Sequence, residues 1–211
     1  FDGQMWENGS IMTKKQSSYN AEMVAGSLLE RESRVIAQLL LDGTDDKTWN
    51  DKLLHENVLQ KRSIKTIKRL ASLIRNRIEP FGKDGWKLIS KGSAEVTKQM
   101  LLAACIKHNR LFGDFVLKVV KDQIRLFQKS LSKRSWVTFL EEATQQDGAI
   151  GSWAESTKEK LGQVTMRILE QVGIIENPRS LKFTPFFLNP QVAAYLRKHD
   201  ETYILKCLEL S

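Results

Sequence analysis

Cysteine is nearly missing from this sequence, and so are long apolar runs and the glycine-rich signatures of the common nucleotide-binding enzymes. Only Cys105 and Cys207 occur among the 211 residues. Two thiols are too few for a disulfide framework. Cys105 also falls in an apolar helical stretch, Gln99 to Ile106, so both read as reduced packing groups of a cytoplasmic protein. The uncharged apolar runs, such as Val35 to Leu41 and Met100 to Ile106, fall far short of the about 20 residues that cross a bilayer. No membrane association is expected from them, and no signal peptide is visible. Four prolines and 12 glycines leave few helix breakers. No G-x-x-x-x-G-K-[ST] loop, G-x-G-x-x-G turn or nucleophile elbow occurs. His55, His108 and His199 lack the cysteine or carboxylate spacing of a zinc site. Asp45-Asp46-Lys47 sits where a helix cap is needed, with no strands to array metal-binding carboxylates. The expectation is a non-enzymatic chain that needs no cofactor and no metal.

What is present is basic charge and helical periodicity. Lysine and arginine number 33 against 25 acidic residues, a formal net charge of +8, which favours a polyanionic partner. Residues 1–18 are polar and aperiodic and read as a disordered tail or an expression remnant, with Met12 a candidate start. From Ala21 to Asp42, Val24, Leu28, Val35, Ile36, Leu39 and Leu40 suit one helix face, interrupted near Gly26-Ser27 and stopped by Gly43. Thr44 and Asp45 can cap a helix bearing Trp49, Leu53, Leu54 and Val58. Ser63 caps a third, in which Ile64, Ile67, Ala71, Ile74 and Ile78 alternate spacings of three and four. Pro80 ends it, and Phe81 to Gly85 reads as a turn-rich boundary.

A central block from Trp86 to Phe127 reads as two packed helices. The first carries Met100, Leu101, Ala104, Cys105, His108, Leu111 and Phe112, and the second runs from Phe115 through Ile124 to Phe127. Ser132 then caps a helix with Trp136, Phe139, Leu140 and Ala143. A Ser156/Glu159 capping box opens another with Leu161, Val164, Ile168 and Leu169. Ile174-Ile175 and Leu181 to Phe183 flank Asn177-Pro178-Arg179-Ser180 like a short β-hairpin, and Asn189-Pro190 starts a last helix. The expected fold is mainly α: a helical bundle core carrying two helix-turn-helix modules, the C-terminal one winged-helix-like with the hairpin. The expected units are 19–80, 81–130 and 131–211. Trp49, Trp86, Trp136 and Trp153 fall at helix starts or on apolar faces and suit core packing rather than base stacking.

The stretch from Lys61 to Arg77 holds Lys61, Arg62, Lys65, Lys68, Arg69, Arg75 and Arg77 and no acidic residue. Its apolar seam turns Lys65, Lys68, Arg69, Ser72, Arg75 and Asn76 outward. As the second helix of a helix-turn-helix it would point its N-terminal residues at base edges, with Ser63, Lys65, Thr66 and Arg69 as candidate contacts. Arg75 and Arg77 would lie nearer the phosphate backbone. A solvated helix face is the competing explanation. The second basic set is more diffuse: Lys118, Lys121, Arg125, Lys129, Lys133 and Arg134, then Lys158, Lys160 and Arg167, with Arg179 at the hairpin tip. Here Lys158, Gln163 and Arg167 can line a recognition helix, and a mixed-charge surface explains them equally well.

Four segments together resemble a known family, the BrxA proteins of BREX (bacteriophage exclusion) defence systems. They are Gly26-Ser-Leu-Leu-Glu-Arg-Glu-Ser-Arg34, Glu56-Asn-Val-Leu-Gln-Lys-Arg-Ser63, Ala103-Ala-Cys-Ile-Lys-His-Asn-Arg-Leu-Phe-Gly-Asp-Phe115 and Trp153-Ala-Glu-Ser-Thr-Lys-Glu-Lys-Leu161. The resemblance implies a small helical defence component that binds double-stranded DNA, has no enzymatic activity and works beside other BREX proteins. It supplies no catalytic residues. The family is also similar to the helical RNA-binding protein NusB, which keeps an RNA-binding module as one alternative. A protein-docking adaptor within the defence complex is the other. Two modules on one chain can serve one DNA, so a monomer is expected.

Overall fold

The computed structural model describes residues 19–210. Eleven α-helical segments occur among them: α1 (Glu30–Leu41), α2 (Asp46–Asn50), α3 (Ile64–Ile78), α4 (Gly82–Lys91), α5 (Ala94–His108), α6 (Arg110–Phe115), α7 (Lys121–Arg125), α8 (Ser135–Gln146), α9 (Glu155–Gln171), α10 (Pro190–Lys198) and α11 (Thr202–Leu208). Short side chains fix several of the starts. Asp45 accepts from the Thr48 amide at 2.7 Å, Ser93 from Val96 at 3.2 Å and Asn109 from Phe112 at 2.9 Å. Asn189 does the same for Gln191, ahead of Pro190 at the first helical position. Gly43, at φ +65°, supplies the left-handed residue just after α1.

The uneven burial of the helices sets the architecture. α5 buries residues around nearly its whole circumference, including Met100, Leu102, Ala103, Ala104 and Ile106. A helix apolar on all sides belongs in the middle, and α1, α3, α4, α6, α10 and α11 all pack on it. α6 continues through a π turn, Val116–Val120, into α7. Its Phe115 ring meets Trp136 and Phe139 of α8 edge-on, at centroid distances of 5.1 and 5.3 Å. One buried apolar cluster runs without a break from Met23 to Leu210.

Several expectations are corrected. No strand forms among the described residues. Ile175 and Phe183 meet in one isolated antiparallel bridge, and Ser130 and Lys182 in another. The segment 181–183 thus lies between 174–176 and 129–131, and divides its pairing instead of forming a two-stranded hairpin. Phe81 to Gly85 is no loop: α4 begins at Gly82 directly after the turn Glu79–Phe81. The Ser156/Glu159 capping box is absent, because α9 already starts at Glu155 with Ala154 at its N-cap and no side-chain cap bond. Ser132 shapes the turn before α8, and Ser63 stands at the N-cap of α3 without a side-chain cap bond. Phe127 leaves the apolar surface assigned to it and is 93% exposed, and Ile64 is 59% exposed. The expected tail, residues 1–18, lies outside the described residues.

Candidate nucleic-acid interface

α3 buries Ile67, Leu70, Ala71, Leu73, Ile74 and Ile78, and this fixes which side is left to solvent. Lys65, Lys68, Arg69, Ser72 and Asn76 are exposed, as are Arg62 and Ser63 just before the helix; Thr66 is half-buried. The helix contains no carboxylate. Two ion pairs flank this surface. Lys61 pairs with Glu32 on α1 at 2.5 Å before the helix, and Arg75 pairs with Glu79 at 3.1 Å after it. The Lys61 contact also holds the Glu32 carboxyl below its ordinary range, against the opposing effect of its burial. Arg75 lies 5.0 Å over the Trp49 ring, so its guanidinium stays at the edge of the face.

Arg77 is elsewhere. It is 4% exposed and donates to the carbonyls of Ser27 at 2.7 Å and Gly26 at 2.9 Å. Those carbonyls belong to the non-helical link between the turn Glu22–Ala25 and α1, where no helix bond satisfies them. Arg77 is therefore a structural cation, and the expected backbone contact is corrected.

The second basic set is divided. Lys133, Arg167 and Arg179 converge on a cleft of about 690 Å³ between α8, α9 and the 177–181 turn, which Gln163, Trp136 and Met166 also line. Among the described residues, Glu159 is the one carboxylate in its wall. The geometry depends on close contact between α8 and α9. A Cβ at Gly162 would lie 2.7 Å from Trp136 Cδ1, so only glycine lets the indole lie this close to α9. The indole Nε1 donates to the Lys158 carbonyl at 3.0 Å. The Arg179 and Ser180 amides both donate to the Asn177 side chain, which shapes the turn presenting Arg179.

The remaining members of the set lie apart. Lys158 is half-buried and pairs with Glu155 at 2.8 Å. Lys160 and Arg134 are exposed outside the cleft, and Arg134 lines another hollow with Lys118, Asp122 and Glu142. Lys121 is buried and donates to the Lys206 carbonyl at 2.7 Å. Trp136 is 6% exposed, and Trp49, Trp86 and Trp153 are partly buried against the core.

Spacing alone did not reveal the buried cluster at Asp114. It accepts from Tyr203 at 2.6 Å and Tyr19 at 2.9 Å, and pairs with Arg110 at 3.0 Å. Burial and the carboxylate push the Tyr19 hydroxyl up to about 12, and Tyr203 is raised for the same reasons. Neutral hydroxyls donating to a carboxylate join the segment before α1, α6 and α11; the role of this cluster is structural. Among the described residues no group of three or more His, Cys, Asp or Glu is placed to hold a metal ion. No helix of the described residues is long and apolar enough to cross a membrane.

The BREX protein BrxA of Paramagnetospirillum magneticum is 39% identical over 92% of this chain and 97% of its own. That of Escherichia coli is 32% identical over 95% of this chain and 94% of its own. A crystal structure of an uncharacterized protein from Magnetospirillum magneticum superposes with a TM-score of 0.84 at 38% identity, covering 92% of this chain and 99% of that one. The family model for BrxA matches residues 17–200. The chain belongs to the BrxA family.

Proposed function

We propose that this protein is a non-enzymatic, double-stranded-DNA-binding component of a bacterial BREX phage-defence system, acting beside other BREX proteins in the cytoplasm. The observation that carries this reading is the outward face of α3: Lys65, Lys68 and Arg69 lie exposed on a helix whose own residues include no carboxylate. Cations on a rigid helix displace condensed counterions from a duplex, giving affinity that falls with salt. With α2 ahead of it, α3 takes the recognition position of a helix-turn-helix, its N-terminal residues Ser63, Lys65, Thr66 and Arg69 toward the bases. The cleft of Lys133, Arg167 and Arg179 supports a second contact, with Arg179 presented from the turn that Asn177 shapes. Names of the relatives support the defence assignment. One chain with two contact surfaces needs no partner copy to hold a duplex, so the DNA-free protein in dilute solution is a monomer.

The test is the triple variant Lys65→Glu, Lys68→Glu, Arg69→Glu in a duplex titration. Binding should be lost with the melting temperature retained. Unchanged binding by the folded variant would remove α3 from the interface. Preference of the wild type for RNA loops would favour an RNA-binding module, and no affinity for any nucleic acid a docking adaptor.

A further inference from the structure

An aromatic surface stands apart from α3 and from the cleft between α8 and α9. α7 ends in a two-bond C-terminal cap: the Phe127 amide donates to the Ile124 carbonyl and the Gln128 amide to that of Gln123, at 2.9 and 3.0 Å. This cap calls for a left-handed residue, normally glycine, and here it is Phe127 at φ +55°. Phe127 is also 93% exposed, so folding gains nothing from a phenyl ring at this position. The ring borders a hollow of about 340 Å³ that Phe183, Phe186, Phe187 and Leu210 also line. Phe183 and Phe186 pack on the core, whereas Phe187 is 72% exposed.

The charge around the hollow has one sign. No charged side chain lines it among the described residues. Arg125, Lys129 and Lys182 each adjoin a lining residue in the chain, are exposed, and enter no ion pair among the described residues. Glu209, which adjoins Leu210, pairs instead with Arg197 at 3.5 Å. Exposed phenyl faces with cations beside them fit a ligand that is flat and apolar in one part and anionic in the next. An unpaired nucleotide has that form: its base stacks on aromatic rings while the phosphates on either side meet lysine and arginine. Gln128 also lines the hollow, and its side-chain amide carries a donor and an acceptor for a base edge. A base inside a duplex is held in its own stack and does not reach such a hollow.

We propose that the hollow beside Phe127 binds an unpaired nucleotide of a single strand, its base stacked on Phe127 and Phe187 and its phosphates met by Arg125, Lys129 and Lys182. This site uses none of the residues of α3, and the proposal stands whether or not the chain binds duplex DNA.

Fluorescence anisotropy of the full chain with labelled oligo(dT), oligo(U) and an abasic deoxyribose-phosphate strand, all of equal length, tests it. At least one of the base-bearing strands should bind about ten-fold or more tighter than the abasic strand, which carries the same charge without bases. The tighter of the two identifies the sugar. Phe127→Gly suits the cap, and Phe187→Ala changes an exposed side chain, so both should keep the melting temperature. Each should weaken the base-bearing strand by about ten-fold or more, the scale of one lost stacking contact, and leave duplex affinity unchanged. Phe187→Trp should keep the affinity for single strands. Equal binding of the abasic strand, or unchanged affinity in either truncated variant, would overturn the proposal. An equal loss of duplex affinity in Phe127→Gly would also overturn it, assigning the ring to a base-step wedge. So would binding of an acidic, leucine-rich peptide, dependent on Phe127, in place of the oligonucleotides, which would give the hollow to a protein partner.

Discussion

Arg77 donates to the Ser27 carbonyl at 2.7 Å across 50 residues of chain, from a side chain only 4% exposed. The bond joins the end of α3 to the link before α1. Replacing Arg77 with methionine keeps most of the aliphatic packing and leaves the Gly26 and Ser27 carbonyls unpaired. The expected cost is about 2 kcal/mol, in the range for orphaned buried acceptors, read as a lower urea midpoint. Duplex affinity measured well below the unfolding transition should be unchanged, because this cation faces inward.

Exposed cations should behave in the opposite way. Lys65→Glu and Lys68→Glu together should leave the melting temperature within error, since both side chains are exposed to solvent. The salt dependence of duplex binding should become shallower by about 1.8 in the log–log slope, at about 0.9 for each phosphate that is no longer neutralised. A slope that does not change would show that these lysines do not meet phosphates.

His108 supplies a pH dependence. Burial and the Arg77 guanidinium hold its pKa below the ordinary 6.5, against the pull of Glu22 at 3.2 Å. The folded state thus binds this proton less readily than the unfolded chain. Stability is fully present above pH 6.5 and is lost as the pH falls through that value toward the lower folded pKa. Thermal unfolding of His108→Gln should show a flatter profile between about pH 7 and 5 than the wild type. Parallel profiles would mean His108 contributes nothing.

Gly162→Ala tests the close contact of α8 and α9. The added methyl would press on the Trp136 indole, which its bond to the Lys158 carbonyl holds in place. A loss of about 1–3 kcal/mol is expected from overpacking, with a red shift in tryptophan emission if the ring is displaced toward solvent. A gain in stability from the better helix propensity of alanine would show that Trp136 moves freely.

Much of this fold was legible because helix periodicity and capping chemistry are local. The seam of α3 from Ile67 to Ile78, the Asp45 cap, Gly43 and Asn189-Pro190 all stand where spacing and side-chain chemistry put them. What depends on partners distant in sequence was not legible. Arg77 lies on the same helix as Lys65 and differs only in which segment packs beside it. Ile174 and Leu181 carry strand-like residues, yet Lys129 to Leu131 competes for the same edge, and only isolated bridges result. The exposed cations of α3 followed from its apolar face alone. The convergence of Lys133, Arg167 and Arg179 required α8, α9 and the 177–181 turn to be seen together. Phe127 is exposed where apolar spacing predicts burial, because spacing carries no sign that a helix has ended.

Titration of the purified chain against matched duplex DNA, single-stranded DNA and RNA, at low and physiological salt, tests the central claim most directly. Tighter binding to the duplex, weakening steeply as salt rises, is the predicted result. Equal or stronger binding to RNA, or no binding to the duplex at either salt, would contradict it.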